Sequence, residues 1–144
     1  MIESRPRRPR RRAWVGVLGK LHNLPNTLVG LAFAAAGTSA ASFARVGHNA
    51  LQFFDSRLVL PGYAITLGNV TIYGRGVHPG VKTPSGATLG EHERQHTLQG
   101  EQIGAFYLPS NLLGGLAGLW IDGSWHGRSN WNERGPLGFP PRPW

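Results

Sequence analysis

Residues 88–103 read TLGEHERQHTLQGEQI, and this segment predicts a helix with a sharply defined start. Thr88 and Glu91 form a T-x-x-E capping box, in which each side chain accepts a hydrogen bond from the backbone N–H of the other residue. Shortly before the box, residues 84–86 are Pro, Ser and Gly, which are typical of a loop, and no proline interrupts the segment itself. The pattern therefore predicts that a helix begins immediately after Thr88.

The same segment contains His92-Glu93-Arg94-Gln95-His96, which reads H-E-x-x-H. This spacing puts the two histidines one helical turn apart on the same face, so that two imidazoles can hold one zinc ion. A glutamate beside the first histidine can reach a water on that ion and act as a general base. The alternative is a surface helix on which these side chains are merely solvated. We therefore predict a zinc site that includes His92 and His96, with Glu93 as the catalytic base.

A catalytic zinc ion usually has three protein ligands and one open position for water. Two residues further along the chain are candidates for the third ligand, His126 and Glu133, and the spacing allows both. Glu101 is nearer in sequence, but about 100° of rotation per residue turns it off the face that carries His92 and His96. Whichever candidate is not a ligand could hydrogen-bond one or stabilise the oxyanion. Each also has an ordinary alternative, which is packing between tryptophans for His126 and a surface ion pair for Glu133.

The pentapeptide resembles the metal-binding motif of the zincin metallopeptidases. In the gluzincin branch a glutamate on a following helix completes the site, and Asn132-Glu133 is similar to the Asn-Glu that opens that helix, although Pro136 would end a helix there. In SprT-like zincins the third ligand is a histidine followed by glycine, which His126-Gly127 resembles. The resemblance implies a metallopeptidase-like site and leaves the choice of third ligand open.

Roughly residues 63–135 also resemble small, uncharacterised bacterial proteins and toxin-associated domains that carry H-E-x-x-H. In those proteins a glutamine, a Gly-x-x-Tyr-Leu segment, a histidine and a glutamate follow the motif. The matching residues here are Gln99, Gly104, Tyr107, Leu108, His126 and Glu133. This resemblance implies no particular substrate.

Composition and strand signals predict a small α+β domain. The chain has 144 residues with Gly 21, Pro 11 and no cysteine, which suits one modest core and excludes disulfides and cysteine-based zinc or nucleophile chemistry. Residues 63–73 have the composition of a strand, with Gly68 and Asn69 marking a bulge or a hairpin turn. Residues 46–60 indicate a further short helix or strand. We expect a single domain with the H-E-x-x-H helix, a few short strands and additional apolar helices.

Two apolar segments, 28–43 and 107–121, are too short to cross a bilayer comfortably. We predict that the first is a buried helix of small residues capped by Asn26 or Thr27, with a secretory signal or an interfacial helix as the alternative. The second is expected to form a helix with leucines and Trp120 on one face. That face would either pack beneath the zinc helix or dip into a membrane.

The net charge of +8 comes mostly from residues 1–12, whose basic residues are Arg5, Arg7, Arg8, Arg10, Arg11 and Arg12. We divide the chain into a basic tail, 1–20, predicted to be disordered; a zincin-like domain, 21–135; and a proline-rich extended tail, 136–144. The arginines could attract an anionic membrane surface, whereas nucleic acid is disfavoured because the domain has no basic reading helix or base-stacking motif. A cytoplasmic or membrane-associated location is favoured over export.

The function that the sequence predicts is a zinc-dependent hydrolase that acts on a peptide or protein substrate. Two histidines and one of the two later candidates would hold Zn2+, and Glu93 would take the proton of the attacking water and pass it to the leaving amine. The alternative is a non-enzymatic membrane-associated or binding module with a basic N-terminal tail. The substrate and the oligomeric state are open at this point.

Overall fold

The structure is a computed structural model that describes residues 13–39 and 44–144. Its elements in chain order are α1 (Ala13–His22), α2 (Leu24–Gly37), β1 (Arg45–Gly47), β2 (Ala50–Ser56), β3 (Ala64–Leu67), β4 (Val70–Gly74), α3 (Leu89–Ile103) and α4 (Tyr107–Asp122). A short 3-10 turn (Gly104–Phe106) joins α3 to α4. These elements form one small α+β domain, which confirms the predicted fold class.

The strands form a mixed sheet with the order β1-β2-β4-β3, in which β2 and β4 are parallel and the other neighbours antiparallel. Gly68 and Asn69 form the turn between β3 and β4, so the hairpin alternative is confirmed. Gly68 has φ +66°, and a Cβ there would lie 2.2 Å from the backbone nitrogen of Thr27 in α2. Both the backbone conformation and the contact with α2 therefore require glycine at this turn. β4 is buried along its whole length, whereas β3 forms one edge of the sheet.

α2 covers the sheet through small residues, as predicted for this apolar segment. Ala34 packs with Val70 and Ile72 of β4 in the hydrophobic core. A Cβ on Gly30 would lie 2.4 Å from the carbonyl oxygen of Leu67, so only glycine allows the helix to approach the β-hairpin this closely. The outward side of α2 remains exposed.

The predicted start of this helix was wrong. α2 begins at Leu24, and Asn23 occupies the cap position without a side-chain cap bond. Pro25 lies in the first turn, where its missing N–H has no helical partner to lose. Asn26 and Thr27, the predicted caps, lie inside the helix and bond to the α3–α4 turn and the β3–β4 turn.

The end of α3 packs closely against the chain around the α1–α2 junction. A Cβ on Gly100 would lie 2.4 Å from Asn23 Oδ1, and one on Gly104 would lie 2.3 Å from the ring of His22. Gly104 also has φ +59°, which lets the chain leave the helix at this point. The glycines that interrupt this polar helix are therefore contact positions.

A buried polar cluster fixes the second half of α3. Oε1 of Glu101 accepts hydrogen bonds from Lys20 Nζ at 3.1 Å, from Asn49 Nδ2 at 2.8 Å and from Asn69 Nδ2 at 3.0 Å. These donors belong to α1, the β1–β2 turn and the β3–β4 turn. Glu101 thus joins three elements away from the histidines, in keeping with its predicted place off their face.

The N-terminal boundary of the predicted domain was wrong. Residues 13–20, assigned to the basic tail, form most of α1, which contacts α3, with Gly19 close to the side chain of Glu101. The rest of the predicted tail, 1–12, and residues 40–43 of the predicted apolar helix lie outside the described residues. Among the described helices, none combines the length and apolar character that a bilayer crossing needs.

The proline-rich segment 136–144 contains no helix or strand and folds back onto α3. The indole Nε1 of Trp144 donates to Gln102 Oε1, and Gln99 Nε2 donates to the carbonyl of Pro143. The last residues of the chain thus lie against the helix that carries the motif.

α4 buries glycines and leaves its leucine face outside. Gly114, Gly115 and Gly118 are buried, and a Cβ on Gly115 would lie 2.2 Å from the ring of Trp125. The exposed apolar residues of this helix are Leu112, Leu113, Leu116, Leu119, Trp120 and Ile121. The alternative in which the leucine face packs beneath the zinc helix was therefore wrong.

Candidate metal centre

The start of α3 is set by the predicted capping box. Glu91 N donates to Thr88 Oγ1 at 3.2 Å, and Thr88 N donates to Glu91 Oε2 at 2.8 Å. The same bond from the Thr88 backbone is the largest cause of a lowered pKa at Glu91. With its start fixed in this way, α3 turns His92 and His96 inward.

Three side chains, His92, His96 and Glu133, meet at the buried face of α3. The two Nε2 atoms lie 3.3 Å apart, His92 Nε2 lies 3.3 Å from Glu133 Oε2, and His96 Nε2 lies 3.5 Å from Glu133 Oε1. Ligand atoms about 2.0–2.2 Å from a tetrahedral zinc ion stand roughly 3.3–3.6 Å from one another. The two nitrogens, and the carboxylate oxygen nearest to each of them, therefore have separations in the range that a shared zinc ion requires.

The electrostatics of the cluster keep Glu133 in its charged form. Burial by itself would raise the pKa of Glu133, but the nearby charge of His96 and the close contacts with both histidine rings hold that pKa well below its usual range. Within the described residues, His92 Nδ1 and Glu133 Oε2 have no hydrogen-bond partner. A buried, charged carboxylate with an unbonded oxygen is costly, so a metal ion would complete what the protein leaves unsatisfied.

Gln99 orients one of the histidines. Its Oε1 lies 2.9 Å from His96 Nδ1, and its Nε2 donates to the backbone carbonyls of Asn132, at 2.7 Å, and Pro143. Because an amide oxygen can only accept, the neutral ring has its proton on Nδ1, and Nε2 then has a lone pair for a metal ion. Gln99 follows His96 by three residues and so shares its face of the helix. However, both carbonyl partners of Gln99 are distant in the chain, so this role was not predicted.

Glu133 reaches the cluster because two asparagines fix its loop, one by a bond within the loop and the other by a bond to α4. Asn130 Nδ2 donates to the carbonyl of Trp125 at 2.8 Å, and Asn132 Nδ2 donates to the carbonyl of Ser110 at 2.9 Å. Both asparagines are fully buried. Glu133 lies in a run of turns and not on a helix, consistent with Pro136 three residues later.

Glu93 lies beside the cluster and lines a cleft of about 310 Å³. Its Oε2 accepts a hydrogen bond of 2.7 Å from Thr66 Oγ1 on β3, and Thr66 Oγ1 is 3.0 Å from Thr71 Oγ1 on β4. The strands thus fix one oxygen of this carboxylate. Thr66 was not predicted as a site residue, because only the pairing of α3 with the sheet brings it here.

His126 lies at the edge of the cleft and outside the cluster of His92, His96 and Glu133. Its Nε2 is 3.9 Å from Glu133 Oε1, its side chain is 43% exposed, and its ring stacks on Tyr63 with centroids 6.3 Å apart. Of the two candidates for third ligand, the structure therefore brings Glu133 into the cluster and leaves His126 at the opening.

Comparison of the chain with protein-family models, with curated proteins and with solved structures gave no match in any of the three.

Proposed function

We propose that the protein is a zinc-dependent hydrolase that cleaves a peptide or protein. The observation that carries this proposal is the geometry of His92, His96 and Glu133, whose ligand atoms stand 3.3–3.5 Å apart beside a cleft. Two histidines and one carboxylate, with a fourth position open, are a catalytic donor set, whereas structural zinc sites are closed by four protein ligands. A zinc ion held there would supply an acidified water and a Lewis acid for the scissile carbonyl.

Glu93 is the proposed general base. Thr66 holds Oε2 of this carboxylate, which leaves Oε1 to accept the proton of the attacking water and return it to the leaving amine. His126, with a half-exposed ring, is in position to hydrogen-bond the oxygen of a tetrahedral intermediate.

The shape of the cleft supports a peptide as the substrate. Gly62, Tyr63 and Ala64, at the start of β3, line it together with Glu93. Because β3 is an edge strand, one side of its backbone can pair with an extended peptide, as the resemblance to zincins implies. Tyr63 is half exposed at this edge, where it can contact a substrate side chain.

The substitution Glu93→Gln tests the proposal. It should leave zinc stoichiometry unchanged and lower kcat on a fluorogenic peptide mixture or casein by at least about a hundredfold, because only the base is removed. Glu91→Gln is the matched control, since it changes a carboxylate on the same helix and a glutamine retains the capping box. A wild-type protein that binds no zinc, or a Glu93→Gln variant with full activity, overturns the proposal.

A further inference from the structure

The positive charge of the chain is concentrated on the elements before the core strands. Residues 4–54 contain no Asp or Glu, while they include six arginines before α1, together with Lys20 and Arg45. These residues supply α1, α2, β1 and most of β2. Within these four elements the one acidic residue is Asp55, next to the end of β2, and Lys20 pairs with Glu101 of α3 at 3.1 Å.

An apolar groove of about 510 Å³ lies between these same elements. Val17 and Leu21 of α1, Leu24 of α2, Val46 of β1 and Leu51 of β2 line it. Val46 is 86% exposed, Leu21 60% and Val17 58%. Apolar side chains gathered at one exposed place mark a docking surface, because isolated soluble domains seldom leave such a patch in water.

We propose that this groove face docks on an anionic lipid surface. Val17, Leu21 and Val46 enter the boundary between head groups and acyl chains, and the six arginines that precede α1 in the sequence add the positive charge that attracts anionic head groups. The charge of the segment selects this occupant, since basic residues beside an apolar face are the combination that anionic bilayers bind.

The leucine face of α4 is the internal comparison. Leu113 and Leu116 are exposed to a similar degree as Val17 and Leu21. However, α4 contains no basic residue and ends at Asp122, so an anionic surface has no electrostatic reason to hold it. The groove also shares no lining residue with the cleft beside Glu93, so the proposal is independent of the hydrolase proposal.

The test is co-sedimentation of the full-length chain with phosphatidylcholine vesicles, with and without phosphatidylserine. Binding should require phosphatidylserine and should weaken with salt. The double variant Val17→Ser, Leu21→Ser should bind at least about tenfold more weakly, because apolar insertion is lost. The matched variant Leu113→Ser, Leu116→Ser should bind like wild type. Circular dichroism and thermal melts check that both variants are folded.

A second arm replaces Arg7, Arg8, Arg10 and Arg11 by glutamine. Vesicle binding should fall by about a hundredfold, since each arginine near the membrane contributes about a fivefold factor at most. Three results overturn the proposal. One is loss of binding in the α4 variant with retention in the groove variant. Another is that the chain binds a nucleic-acid duplex as well as vesicles, and that the groove variant weakens neither interaction. The third is a dimer in analytical ultracentrifugation that only the groove variant dissociates, which would make a second copy the occupant.

Discussion

His96 and Gln99 lie one turn apart on α3, and Nδ1 of the histidine is 2.9 Å from Oε1 of the glutamine. The glutamine amide is itself fixed, because its Nε2 donates to backbone carbonyls in the Glu133 loop and in the C-terminal segment. The orientation of one proposed zinc ligand therefore depends on two parts of the chain that are distant in sequence.

Replacing Gln99 by Met should weaken zinc binding about 10- to 100-fold, because His96 loses the acceptor that fixes its ring. Competition with a chromogenic chelator measures the affinity. Gln95→Met is the matched control, since among the described residues the Gln95 side chain bonds to the Glu91 carbonyl on the same helix and to no residue of the cluster, and it should retain wild-type affinity. Equal zinc affinity in the two variants would show that Gln99 has no part in positioning His96.

Substitutions at Glu133 and His126 should have different effects on zinc. Glu133→Gln should lower zinc affinity by at least about tenfold, because it removes a charged ligand from the cluster. His126→Ala should keep zinc and instead lower kcat, since that ring lies at the cleft edge, 3.9 Å from the carboxylate. Metal analysis after dialysis separates these outcomes. Retained zinc in Glu133→Gln with loss in His126→Ala would reverse the ligand assignment.

The metal-free protein should be most stable on the acidic side of neutral. Burial lowers the pKa of His96, but the Glu133 carboxylate outweighs it and raises that pKa from 6.5 to about 9. This contribution to stability is complete below about pH 6.5 and is lost as the pH rises through about 9. The pKa of Glu133 is lowered from 4.5, so its contribution is present above about pH 4.5 and is lost as the pH falls. Urea unfolding of chelator-treated protein should therefore give a maximum between these limits.

Zinc affinity should rise with pH until the proton on His96 is gone. Because the ligand must be neutral, zinc displaces that proton, and affinity should increase about tenfold per pH unit between neutrality and about pH 9. Isothermal titration in buffers of different ionisation enthalpy counts the protons released. The slope should be smaller in Glu133→Gln, in which the histidine pKa is no longer raised by a carboxylate. A pH-independent affinity in wild type would contradict the coupling.

Glycines on α1 and α3 should respond to alanine in opposite directions. Gly100→Ala should destabilise the fold by about 1–3 kcal/mol, because its Cβ would press on Asn23. Gly16→Ala should stabilise it by up to about 1 kcal/mol, since no atom of the described residues lies within 4 Å of that Cβ and alanine favours a helix. Urea unfolding gives both values, and a destabilised Gly16→Ala would indicate a contact that the structure does not contain.

Local signals in the sequence were enough to predict the helix of the motif and the hairpin. The cap between Thr88 and Glu91 and the turn at Gly68 and Asn69 depend on residues only a few positions apart, and both are confirmed. The position of Glu133 could not be predicted in the same way. Its loop is held by a hydrogen bond from Asn130 to the Trp125 carbonyl and by one from Asn132 to the Ser110 carbonyl of α4. The second bond depends on how the loop packs against α4 in the tertiary fold.

The helix faces show the same division. Hydrophobic periodicity identified α4, but its leucines are exposed and its glycines buried, because the Trp125 ring occupies the space beside Gly115. A pattern of apolar residues predicts which residues share a face, and the partner elements decide whether that face is covered. The glycine face of α4 is the buried face because Trp125 packs too close to that face to leave room for side chains.

The bond from Gln99 to Pro143 would make the C-terminal segment a reporter of zinc binding at the proposed site. Arg142 N donates to the carbonyl of Gly135 at 3.1 Å, in the same fold-back that brings Pro143 to the glutamine. A cation that fixes the ring of His96 should also fix Gln99, and through Gln99 the C-terminal residues bonded to it. Amide hydrogen exchange at Arg142 should therefore slow when zinc binds. The exchange rate of this one backbone proton would then report whether the buried site, distant in sequence, is filled.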